Sequence, residues 1–268
     1  MNNPLINYLL HLADTTLILS HRNSEWCGHG PILEQDIALT NISLDLLGQA
    51  RLFYQYAAQL INESKKAEGV KAPSPQGERV GDEVNEDTLA YLRTERQFKN
   101  LLLAEQPNSD WGQTILRQYL YSQFQQLLFQ QLQHHNDEHI AAIATKSLKE
   151  TNYHVRWSSE WVIRLGDGTA ESKQRMLHAI NELWCYTGEM FIAADYELHL
   201  NIDFNDINNR WTEKVNTVFA EAALILPSGG GGAVFMQTGG KTGTHTEHLG
   251  YILADLQYLQ RAYPNSQW

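Results

Sequence analysis

Between Ile143 and Leu165 one row of side chains runs Ile143, Ser147, Glu150, His154, Trp157, Trp161, Leu165. Steps of four and three residues place the row on one helix face. It begins and ends apolar, so the face is predicted to be buried, with a carboxylate and an imidazole in its middle. The neighbouring row, Lys146, Lys149, Tyr153, Arg156 and Glu160, reads as a solvent face. Burying even an uncharged polar group without a partner costs about 2–7 kcal/mol. Glu150 therefore needs a metal, a cation, His154 or a group on a facing helix.

The rest of the chain carries the same period. A helix is predicted over residues 5–21, with Leu5, Leu9, Leu12, Thr16 and Leu19 on one face and His11 and Asp14 on another. Pro31 fits the first position of a second helix over 32–61. That helix is apolar around most of its circumference, which predicts a central position. Asn41, Asp45 and Gly48 form one row within it. Glycine there costs about 1 kcal/mol relative to alanine, so a close helix contact or a missing side chain is wanted at Gly48. Further helices are predicted over 88–106 (capped by Asp87 and stopped by Pro107), 111–133, 171–200, 206–226 and 245–263. Residues 62–87, rich in Lys, Pro and Gly, read as a flexible surface insertion, and residues 227–243 as a Gly-rich loop. With no strand pattern and no repeat, the chain is predicted to be all-α, one domain over 1–268.

Composition narrows the function. The net charge is −11, with 20 basic and 31 acidic residues, which argues against a nucleic-acid partner. No run of about 18 apolar residues offers a membrane span. The first twelve residues show no export signal. The two cysteines, Cys27 and Cys185, read as reduced thiols of a cytoplasmic protein.

Several chemistries compete for these residues. Di-iron carboxylate bundles place a Glu on each of two helices and a Glu-x-x-His on each of two others. Here Asp45 is followed at that spacing by Gly48, and Glu150 by Tyr153. His154 falls one residue late, about 100° round the helix. The two remaining helices offer His11 and Asp14, or the neutral Gln118 and Gln125. The ligand set is thus defective, and a metal-free polar core of Asp45, Glu150, His154, Asp14 and His11 is expected. Gly239–Gly243 resembles the end of a phosphate-binding loop, but Phe235 stands where the first glycine is required. His245 and His248 are three apart, whereas a zinc helix needs four. Thr244 and Glu247 fit a capping box instead. No nucleophile motif is present.

Longer runs carry a resemblance. Ile42–Arg51 (ISLDLLGQAR), Glu95–Leu103, Glu105-Gln106-Pro107-Asn108, Lys149-Glu150 with Tyr153-His154, and Trp26–His29 are similar to the structural (C) subunits of bacterial phenylacetyl-CoA epoxidases. So are Gly239-Gly240-Lys241, His245–Gly250 and Gln257–Arg261. The likeness covers nearly the whole chain, with an insertion near residues 64–82. It implies a ferritin-like four-helix core with additional C-terminal helices, and a non-catalytic chain that binds no cofactor. The di-iron centre and the NADPH would belong to partners: a related catalytic subunit, and a small subunit and a reductase. Two rivals remain: a self-sufficient di-iron oxygenase with unusual ligands, and a CoA-thioester-binding module in which Lys241 meets the CoA phosphates or a partner.

Overall fold

The computed structural model describes residues 3–67, 83–227, 235–263 and 266. Among them there is no strand. Helix α1 (Pro4–Ser24) starts at Asn3, whose side chain accepts from the Leu5 amide, with Pro4 at the first position, where its missing N–H is harmless. It leads into α2 (Leu33–Ala67). After two short helices, α3 (Glu86–Tyr91) and α4 (Leu102–Glu105), come α5 (Trp111–Leu132) and α6 (Glu138–Gly166). Asp110 caps α5 and Asp137 caps α6, each accepting amides of the first turn. The pairs α1–α2 and α5–α6 are the most extensive, and α2 also packs on α6. These four long helices form the core of an all-α bundle. Helices α7 (Ala170–Leu183) and α8 (Phe204–Glu221) pack on α5 and α6, and α9 (Glu247–Leu256) lies on α4. The last helix, α10 (Tyr258–Ala262), follows directly.

The centre is not where apolar content alone places it. Helix α1 is buried on nearly all sides, and so is α5, although α5 carries buried polar side chains that include Gln118, Ser122 and Gln123. Helix α2 instead leaves a stripe of apolar side chains outside. The expected solvent row of α6 is as read: Lys146, Lys149, Tyr153, Arg156 and Glu160 are all exposed.

Three predicted helices break, that over 245–263 dividing into α9 and α10 at Gln257. Residues 88–106 divide into α3, a 3-10 turn at Glu95–Gln97 and α4, and the cap is Asn85 rather than Asp87. The helix over 171–200 ends at Leu183 and continues as 3-10 turns. There Glu189 accepts the amides of Leu102, Gly239 and Lys241, a tertiary demand that a continuous helix would not meet. The expected capping box at Thr244 and Glu247 is absent, because α9 begins after Thr246, whose amide and hydroxyl both donate to Glu105. Helix α2 extends to Ala67, into the predicted insertion, and Asn62 holds Val84 by two hydrogen bonds of 2.7 and 3.0 Å. The remainder of that insertion, residues 68–82, and residues 228–234 of the Gly-rich loop lie outside the described residues.

Candidate functional site

The five polar residues expected in one core separate into two groups. The first lies between α2 and α6. His154 is buried and its Nε2–H donates to Asp45 Oδ2 at 3.0 Å. Its Nδ1 is enclosed without a partner. Glu150 accepts from Gln49 Nε2 at 2.9 Å, and Gln49 Oε1 accepts from Gln125 Nε2 at 3.0 Å. The same Gln125 nitrogen reaches the Tyr121 hydroxyl at 3.1 Å, and Gln125 Oε1 accepts from Thr151 at 3.3 Å. Glu150 thus has the partner its position requires, an amide on the facing helix. Neither carboxylate is as deep as the periodicity predicts: the Asp45 side chain is 36% exposed and Glu150 is half-buried. Both sit at the edge of the α2–α6 seam, where water lowers the cost of their charge.

The second group lies about 13 Å further along α2, nine residues at the helical rise. Asp14 is fully buried and accepts from the Tyr54 hydroxyl at 2.5 Å, from the Lys99 amide at 2.8 Å and from both terminal nitrogens of Arg93. The Arg93 guanidinium also covers the Phe98 ring at 4.3 Å. His11 Nδ1–H donates to the Lys99 carbonyl at 2.7 Å. Burial lowers the His11 pKa, against the opposing pull of Glu197. Asp14 and His11 therefore tie α1 to the segment after α3. They do not face Asp45, Glu150 or His154.

Lys241 is in the interior, 3% exposed. Its ammonium meets Glu197 and the Ile192 carbonyl, each at 2.9 Å, and lies 4.9 Å from the centre of the Phe204 ring. The expectation that it meets CoA phosphates or a partner does not fit this placement, because its charge is already neutralised inside the fold. The Gly-rich turn beside it does bind an anion, but an internal one: the amides of Gly239 and Lys241 hold the Glu189 carboxylate.

Further buried charges fasten the C-terminal part. His245 Nδ1 lies 3.0 Å from Glu105 Oε2, and its Nε2 lies 3.0 Å from the Phe98 carbonyl. With an acceptor at each nitrogen, both must carry hydrogen, which is the imidazolium form. Burial by itself would lower the His245 pKa, but the hydrogen bond and charge of Glu105 outweigh it and raise it. Arg117 is fully buried on the Gln106 carbonyl (2.5 Å) and Asn108 Oδ1 (2.5 Å), with no carboxylate against it, and desolvation lowers its pKa to about 9. These residues come from turns and from an outwardly ordinary Gln-rich helix; the sequence marks His245 only as half of a histidine pair with the wrong spacing for zinc, and Arg117 as a charge amid apolar neighbours.

A di-iron centre does not fit these donors. The position three after Asp45 is Gly48, which faces open space, and the position three after Glu150 is Tyr153, 37% exposed. On the other two long helices Asp14 and His11 are committed to Tyr54, Arg93 and the Lys99 backbone, while Asn23, Gln118 and Ser122 hydrogen-bond one another at 2.6 and 2.7 Å. Among the described residues no three His, Cys, Asp or Glu side chains group as a metal site.

Two comparisons bear on the whole chain. A relative from Escherichia coli (strain K12), the C subunit of 1,2-phenylacetyl-CoA epoxidase, is 45% identical over 271 aligned positions, 99% of this chain and 100% of the relative. The model of the family described as Phenylacetic acid catabolic protein matches residues 1–268. With the match running from end to end over an all-α bundle, the chain belongs to the phenylacetic acid catabolic protein family.

Proposed function

We propose that this chain is a supporting, non-catalytic subunit of a phenylacetyl-CoA epoxidase in aerobic phenylacetate breakdown in the cytoplasm. Its partner is a related di-iron subunit, and that partner, with a small subunit and an NADPH-dependent reductase, carries the oxygen chemistry. Both family membership and the E. coli relative support this reading. The observation that carries it is the donor set: amides occupy the centre of the bundle, and Gly48 and Tyr153 stand outside it at the two Glu-x-x-His positions. A metal site must be held to within about 0.5 Å by its surroundings. A second bundle packed alongside supplies that rigidity without reacting itself.

The test is anaerobic reconstitution with ferrous iron, followed by metal analysis of the isolated chain and of its complex with the di-iron subunit. Iron is expected only in the complex, at the stoichiometry of the partner alone. Two irons per isolated chain, with a di-iron optical spectrum, would make this chain an oxygenase in its own right.

A further inference from the structure

Helix α2 carries an outward stripe with no counterpart among the described residues. Leu33, Ile37, Asn41, Leu44 and Gly48 follow one another at steps of four and three, with Leu47 alongside. Leu33, Ile37, Leu44 and Leu47 are 70, 50, 60 and 42% exposed. Large apolar side chains repeated on one exposed face mark a contact surface rather than the scatter found on any protein. Beyond Gly48 the same stripe turns polar, with Arg51, Gln55 and Gln59 exposed.

Gly48 is the second, independent observation. A β-carbon built there would meet nothing within 4 Å. No turn or positive φ requires a glycine at this place, which lies in the middle of a 35-residue helix. Glycine in such a position destabilises the helix relative to alanine. A missing side chain beside Leu44 and Leu47 is the notch that lets a second helix cross closely, at the short end of the 8–10 Å range.

We infer that the Leu33–Gly48 face of α2 is where a helix of the di-iron subunit docks, crossing closest at Gly48. The inference rests on the supporting-subunit reading. Charge favours a different chain over a second copy: each copy carries −11, and Glu34 and the half-exposed Asp45 and Glu150 border the stripe. The partner's helix is therefore apolar along its centre and basic where it passes Glu34, Asp45 and Glu150, while Lys146, Lys149 and Arg156, exposed on α6, call for acidic groups further out. The stripe itself is about 22 Å long and about 10 Å wide, well under the roughly 800 Å² per partner of a stable interface. The contact must accordingly continue onto α6, past Tyr153.

Affinity for the purified di-iron subunit tests this, measured with the full-length chain and with Leu44→Arg, Gly48→Ala and, as a control in the polar half of the stripe, Gln59→Arg. Leu44→Arg is expected to weaken pairing at least ~10-fold, with Gln59→Arg unchanged. Gly48→Ala guards against mere unfolding: it should raise the Tm of the isolated chain by about 2–4 °C and still weaken the complex. If the unaltered chain pairs and both variants pair as tightly, this face is not the interface and the supporting role stands. If the unaltered chain does not pair with the di-iron subunit, the supporting role itself fails, and the inference with it. If the unaltered chain self-associates and Leu44→Arg abolishes that, the occupant is a second copy and the inference is overturned.

Discussion

His154 Nε2 lies 3.0 Å from Asp45 Oδ2, with the imidazole fully buried and the carboxylate 36% exposed. The burden of the pair is therefore unequal. Truncating Asp45 to alanine strands a buried N–H, which costs about 1–3 kcal/mol. Asp45→Asn keeps an acceptor and should cost less than half of that. Urea unfolding of the isolated chain measures both, and equal losses for the two variants would show that the hydrogen bond does not matter.

Restoring the missing imidazoles should not restore iron. Gly48→His and Tyr153→His each place the ring on the outside of the bundle, since a side chain at 48 enters open space and Tyr153 is 37% exposed. The doubly substituted chain is expected to bind no more iron after reconstitution than the unaltered one. A rise toward two irons per chain would mean that α2 and α6 present these positions inward.

Lys241 and Glu197 are 4% and 2% exposed at the side chain and 2.9 Å apart. Removing one partner of a buried pair leaves the other charge uncompensated, at about 3–5 kcal/mol. Lys241→Met is expected to lower stability by that order. Adding Glu197→Gln to it should recover a large part, read as a positive coupling in a double-mutant cycle. Additive losses would place the two charges apart.

The raised pKa of His245 ties stability to pH in a definite direction. The folded state holds its proton more tightly than the unfolded chain, whose histidine titrates near ~6.5. This contribution is complete below that value and is lost as pH rises through the folded-state pKa. His11, whose pKa is lowered, works oppositely on the acid side, losing its contribution as pH falls below ~6.5. The urea midpoint should therefore fall as pH rises above ~6.5 for the unaltered chain, and His245→Gln should remove that fall. An identical alkaline slope in the variant would assign it to another group.

The α6 face shows how far periodicity reaches. Rows of side chains at three and four residues fix which positions point together, because the helix period is a property of the backbone and needs no neighbours. The five exposed positions of α6, the burial of Ser147, His154 and Trp157, and the need of Glu150 for a partner follow from it, whereas the choice of Gln49 among the possible partners does not. Around Glu189 and His245 the same reasoning stops. Buried carboxylates there collect amides from segments about 50 to 140 residues away, and those distant donors, not local propensity, break the helices and fix the turns.

The sequence by itself determined an all-α chain, its four long helices, its family and the missing imidazoles at Gly48 and Tyr153. Each of those is written in residue identity and spacing along the chain. Only the tertiary structure decided that Asp14 and His11 stand apart from Asp45, Glu150 and His154, that Lys241 is spent on Glu197, and that the apolar coat of α2 faces outward. Those outcomes depend on how the helices are rotated and spaced against one another, and that is set by the summed packing of the whole core rather than by any one stretch of chain.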